Sequence, residues 1–182
     1  VKRSVITTVE VLSRPIIGRN KTHFMTGYVH KPYPPVYADL ARHAGFDSAL
    51  IIRGVEGGVI PSLRQAGRYF SYVDGGAEVG FDIDPSMLAI DQASRAVPIP
   101  PDVPQSAKGE GAVCLTDVEA GARKAAEFGL AALQGEKGPT YDSLLYAAAL
   151  VLKHLGRAED IGTAAVQVRA VLDSGRAAAR VR

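Results

Sequence analysis

The sequence predicts an α/β domain: a mostly parallel sheet flanked by helices, with a β-hairpin, closing in three helices. Three observations carry this. Thr22–Arg53 reads as a strand, a short helix and a buried strand in succession, the order of a β-α-β unit. Asp74-Gly75-Gly76 separates two apolar-alternating runs, a strong hairpin signal. From Thr116 onward, apolar residues recur at helical spacing between capping and glycine signals.

The chain has 182 residues, 47% hydrophobic and 22% charged. That is enough for one domain with a core that needs neither metal nor disulfide to hold it. A single cysteine, Cys114, excludes an internal disulfide framework and reads as a small core residue. No apolar run approaches the roughly 20 residues that span a bilayer, and no signal segment opens the chain. The reading is a soluble, cytoplasmic protein with no membrane partner. Val1 opens the sequence without methionine, and the chain is expected to be a fragment of a longer protein.

Along the chain, Ser4–Leu12 is ambiguous between strand and helix, because its β-branched residues favour a strand while Val5, Val9 and Leu12 keep helical spacing. Thr22–Val29 reads as a strand. Prolines then punctuate the chain before a helix from Val36 to Ala44, with Gly45 just past its end. Ser48–Arg53 is a short apolar run, the mark of a fully buried strand. Arg68–Val73 and Ala77–Ile83 form the hairpin, and Val97–Pro104, with four prolines, is an extended crossing segment. Thr116 with Glu119 makes a capping box for the first closing helix, which ends near Gly135. Thr140 caps the second, whose Leu144, Leu145, Ala148, Leu152 and Leu155 share a face. The third runs from Asp160 to Leu172, burying Ile161, Ala165, Val168 and Leu172.

The net charge of +2 hides a segregation. Residues 1–31 hold six Lys or Arg against Glu10, whereas residues 74–119 hold nine acids against Arg95 and Lys108. A basic segment carrying Lys2, Arg3, Arg19, Lys21 and Lys31 with interleaved aromatics suits phosphates, on a small substrate or along a nucleic acid. It equally suits a solvated charge face.

The best site candidate is Gly54–Gly58, a glycine-rich turn directly after a strand of the β-α-β unit, where open α/β sheets bind ligands. Gly54, Gly57 and Gly58 would let backbone N–H groups approach an anion, and Glu56 could reach a metal ion held by it. The plain alternative is a turn and nothing more; the pattern is neither a P-loop nor a dinucleotide fingerprint. His30-Lys31, closing the preceding strand, falls on the same sheet edge and can take a phosphate or carboxylate. Arg53 either binds an anion or pairs with Glu56. The histidines lack metal-ligand spacing, no serine sits in a nucleophile elbow, and no complete catalytic apparatus is visible.

The order of elements resembles the carboxyl-terminal part of the glycosyl transferase family 3 proteins, the anthranilate phosphoribosyltransferase-like proteins. Lys2–Pro15 (KRSVITTVEVLSRP) stands in the place of the family's R-T-x-F-N-x-L-G-P-L-T-N-P stretch, with Arg3 on its arginine. Ser48–Gly58 (SALIIRGVEGG) matches its strand followed by G-x-D-E, and Gly135–Ala177 is similar to its closing helices with G-x-x-G-P-x-x-D and L-D-S-G-x-A signatures.

The resemblance implies a transferase that moves phosphoribose from phosphoribosyl pyrophosphate to an acceptor nitrogen with Mg2+, as in tryptophan biosynthesis. Glu56 stands at the first acid of the paired site and Gly57 at the second, so one metal-supporting carboxylate is absent. The family's G-T-G-G-D pyrophosphate loop and helical dimerisation domain would precede Val1. The chain by itself is therefore expected to be inactive, with a homodimer forming only in the longer protein. The missing acid, the His30-Lys31-Pro32 stretch and the basic first segment are similar to a divergent, non-catalytic branch proposed to bind nucleic acid, here through Lys2, Arg3, Arg19, Lys21 and Lys31.

Overall fold

The computed structural model describes residues 10–103 and 117–181. Strand β1 (His23–Gly27), helix α1 (Tyr33–His43) and strand β2 (Ser48–Ile52) form the expected unit, followed by β3 (Gly67–Val73) and β4 (Val79–Ile83). Helices α2 (Val118–Leu133), α3 (Pro139–His154) and α4 (Ile161–Asp173) close the chain. The architecture is α/β, with the hairpin and the three closing helices in place.

The strand order is β1-β2-β3-β4. β1 and β2 run parallel in register from His23 opposite Ser48 to Gly27 opposite Ile52, while β2–β3 and β3–β4 are antiparallel. The sheet is thus mixed, and the mostly parallel character expected from the sequence is confined to one pair. The reason lies in residues 53–66. A parallel return needs a crossover, usually a helix, and this segment makes only a short 3-10 turn at Val55–Gly57 before β3 comes back antiparallel. The hairpin turn places Asp74 and Gly75 at φ 51° and 69°, the two positive values that a twist-matched turn requires.

β2 is buried along its whole length, and its alternation splits the core in two. Ala49 and Ile51 face α1 with Phe24, Tyr28, Ala38, Ala41, Phe46 and Tyr72. Leu50 and Ile52 face the closing helices, with Leu63, Tyr69, Tyr141, Leu145, Tyr146, Ala149 and Leu150. Each large side chain so buried contributes about 1.5–3 kcal/mol of transfer free energy.

The helix boundaries differ from expectation at their starts. α1 begins at Tyr33 and takes Pro34 and Pro35 into its first turn, where a missing N–H removes no bond. Asp117 caps α2, its carboxylate accepting from the Ala120 N–H at 2.9 Å; Thr116 and Cys114 lie outside the described residues. Gly138, at φ 150°, precedes Pro139 at the start of α3. That places Thr140 inside the first turn instead of at the cap. The buried face of α3 is also rotated: Tyr141, Leu145, Tyr146, Ala149 and Leu150 are buried, Leu144, Ala148 and Leu152 only partly, and Leu155 is exposed. α3 packs against α2, α4 and the sheet together, so its buried arc is broader than one stripe. α4 buries Ile161, Ala165, Val168 and Leu172 as expected.

Candidate functional site

The parallel register puts Gly27 and Ile52 level, so the loops leaving β1 and β2 emerge on one sheet edge. They touch there: a Cβ on Gly27 would lie 2.1 Å from the Gly58 carbonyl oxygen and 2.2 Å from that of Gly57. Gly54 is equally constrained, since its Cβ would fall 1.5 Å from the Gly58 oxygen. Gly57 adopts φ 77° and its neighbour Glu56 φ 52°, a left-handed pair that turns the loop back on itself.

That turn uses the loop's own amides. The Gly54 N–H donates to the Ile52 carbonyl, Val55 to Ile60, Gly57 to Gly54 and Gly58 to Val55. The amide cradle that the glycine pattern suggests is therefore not formed, because these four donors are satisfied inside the loop. The glycines serve close backbone approach, and positive charge at this edge comes from side chains.

Those side chains line a cleft of about 600 Å³ formed by Val29, Arg53, Gly54, Val55, Glu56, Ser62, Gln65, Ala66, Gly67 and Arg95. Arg53 is exposed at the end of β2 and makes no ion pair with Glu56; neither it nor Arg95 has a salt-bridge partner among the described residues. Tyr28, in the core on the α1 side, has its hydroxyl pKa raised by burial against the opposing pull of Arg53 and Arg68. Two guanidiniums lining one cleft, neither of them ion-paired among the described residues, suit an anion with several oxygens.

Among the described residues, no three His, Cys, Asp or Glu come together as a metal cluster. Magnesium characteristically takes one or two carboxylates plus phosphate oxygens and keeps several waters. The donor set fits an ion carried in on a phosphate ligand, with Glu56 as its one protein carboxylate.

The structure gathers Arg53, Gly54 and Glu56 into this cleft, with Gly57 and Gly58 behind. His30 and Lys31 are on the same edge but do not line it; His30 lies against the Tyr33 ring, centroids 5.8 Å apart, and Lys31 is exposed. Arg95, the cleft's second cation, went unrecognised in the sequence because it lies in an irregular segment far downstream. Its backbone carbonyl, accepting from the Leu63 N–H, holds that segment against the loop. Lys2 and Arg3 lie outside the described residues. Arg19 and Lys21 precede β1 and Lys31 follows it, so these three described residues fall at opposite ends of a strand about 17 Å long. Among the described residues, no helix is long and apolar enough to cross a membrane.

No protein-family model and no curated protein matches the sequence. Solved structures do. An anthranilate phosphoribosyltransferase from Saccharomyces cerevisiae with Mg bound aligns with TM-score 0.57 and 20% identity over 86% of this chain and 40% of that one. The same enzyme in complex with 4-fluoroanthranilate gives 0.56 at 19%, over 86% and 40%. In complex with PRPP and Mg it gives 0.53 at 20%, over 86% and 38%. The chain spans about two-fifths of the length of these proteins. It has the fold of the carboxyl-terminal domain of the anthranilate phosphoribosyltransferases.

Proposed function

We propose that the chain is the carboxyl-terminal domain of a phosphoribosyltransferase and that the Arg53–Glu56–Arg95 cleft receives the phosphates of phosphoribosyl pyrophosphate. The observation that carries this is that Arg53, Arg95 and Glu56 line one cleft at the carboxyl edge of the only parallel strand pair among the described residues. The fold shared with enzymes that include one solved with PRPP and Mg supports the reading.

Phosphoribosyl transfer builds positive charge at the anomeric carbon and negative charge on the departing diphosphate. Arg53 and Arg95 neutralise phosphate oxygens and hold them in a fixed orientation. The rigid glycine loop keeps the cleft floor low, since a side chain at Gly54 or Gly27 would push the loop away. A magnesium ion bound with the diphosphate would supply further charge neutralisation at the leaving group, with Glu56 as its protein ligand. The acceptor site, and turnover itself, belong in this proposal to the longer protein.

Calorimetric titration of the chain with magnesium phosphoribosyl pyrophosphate tests it. Saturable binding is expected, abolished in the Arg53→Ala/Arg95→Ala double variant. Glu56→Ala is expected to weaken it about tenfold, the effect of one charge-assisted contact, and to do so only when magnesium is present. No detectable heat with the unmodified chain overturns the proposal.

A further inference from the structure

The sheet edge opposite the Arg53–Arg95 cleft carries a second, independent cleft. Arg19, Asn20, Lys21 and His23 approach it from the entry to β1, Val73 from the end of β3, and Lys153, His154, Leu155, Gly156 and Arg157 from the end of α3, around about 770 Å³. It holds four Lys or Arg side chains and no acid among its lining residues.

Nearby carboxylates offset part of that charge: Asp74 pairs with Lys21 at 2.5 Å, Asp47, which accepts from the Thr22 N–H, also faces Lys21 and His23, and Asp160, the cap of α4, faces Lys153. Arg19, Lys153 and Arg157 have no ion-pair partner among the described residues; Lys153 lies over the Phe81 ring, 5.1 Å from its centroid.

A helix carboxyl terminus would normally repel an anion, but here its carbonyls are engaged. Leu155 N–H donates to Val151, Gly156 to Lys153 and Arg157 to Leu152, with Gly156 in the left-handed conformation at φ 65°. Arg157, just past that turn, lines the same cleft as Lys153.

Beneath these cations lies a polar chain that the other site does not use. Ser71 Oγ is 2.8 Å from His154 Nδ1, His154 Nε2 is 2.7 Å from Ser48 Oγ, and Ser48 Oγ is 2.7 Å from His23 Nδ1. Ser48 is 2% exposed in a strand otherwise wholly apolar. A buried hydroxyl there costs free energy unless bonded, and the pair of serines fixes His154 at the cleft floor.

We propose that this second cleft binds a phosphorylated small molecule, its phosphate dianion held by Arg19, Lys153 and Arg157 above the His154–Ser48–His23 chain. The volume lies within the range of small-molecule sites. It exceeds what a bare phosphate fills, and three unpaired cations around one opening match a dianion.

Titration of the chain with inorganic phosphate and with ribose 5-phosphate, followed through the imidazole resonances of His23 and His154, tests the proposal. Both ligands are expected to shift the two resonances saturably, ribose 5-phosphate binding more tightly. The doubly reversed variant Lys153→Glu/Arg157→Glu, on exposed or half-exposed positions that leave the core intact, is expected to weaken binding at least about tenfold. The Arg53→Ala/Arg95→Ala variant is expected to retain it, which separates this site from the first. Shifts that vanish in the Arg53→Ala/Arg95→Ala variant overturn the proposal, as does the absence of shifts. It is also overturned if a single-stranded oligonucleotide binds through Lys153 and Arg157 while neither small phosphate does.

Discussion

His154 shows how one residue's surroundings set its chemistry. Burial, then the neighbouring His23 and Lys153 charges, lower its pKa from 6.5 to about 4, so the folded protein holds it neutral between two serine hydroxyls. Whichever ring nitrogen carries the proton, one serine accepts from it and the other donates. Between pH 6.5 and about 4 the unfolded chain binds a proton that the folded chain does not. The associated stability is complete above pH 6.5 and is lost as the pH falls through that window. It amounts to on the order of 2 kcal/mol once solvent screening at the rim is allowed for. Chemical denaturation across that range should show the decline, and His154→Gln should flatten it; an unchanged slope in the variant would place the titration elsewhere. None of this was legible in the sequence. Ser48, Ser71 and His154 are far apart along the chain, and the lysine-histidine pair at a helix end reads as ordinary dipole compensation.

At the scale of elements, where the last two helices begin was readable to within a residue or two, and which side chain caps them was not. The third closing helix was read as starting at Asp160; the structure places Asp160 just before it as its cap, the carboxylate accepting from the Thr163 N–H at 2.7 Å. Replacing Asp160 by Ala should lower the denaturation midpoint at unchanged slope, since the cap bond is lost. Thr140 offered the same chemistry and is not a cap, because Gly138-Pro139 starts the helix one step earlier. The candidate loop divides likewise. Its place after a strand of the β-α-β unit followed from order alone, but the fate of its amides depended on left-handed conformations at Glu56 and Gly57 that fold them inward. Arg95 could not be found by pattern, since it lies in an irregular segment far downstream that meets the loop through long-range contacts such as the Leu63–Arg95 backbone bond.

The whole molecule is organised around β2, buried on both faces between two cores, while β4 is largely exposed at one sheet edge. Amide exchange should follow that gradient: Leu50 and Ile51 protected to near the global unfolding free energy, Val79–Phe81 opening at much lower cost. Equal protection in the two strands would show that the sheet opens as one unit. The two cationic clefts lie at opposite ends of β2, one beyond Ile52 and the other beside Ser48. Occupying one leaves the other's residues untouched, and the central strand is the one element common to both surroundings.

The contact between Gly27 and the carbonyls of Gly57 and Gly58 acts as a register lock on the parallel pair. Sliding β1 by one residue would bring Thr26 or Tyr28 to that slot and turn its buried side chains outward. A two-residue slip keeps the faces but brings Met25 or Val29 there. Either puts a Cβ about 2 Å from a carbonyl oxygen, so one hydrogen-sized side chain selects a single alignment and, with it, the level at which both loops leave the sheet.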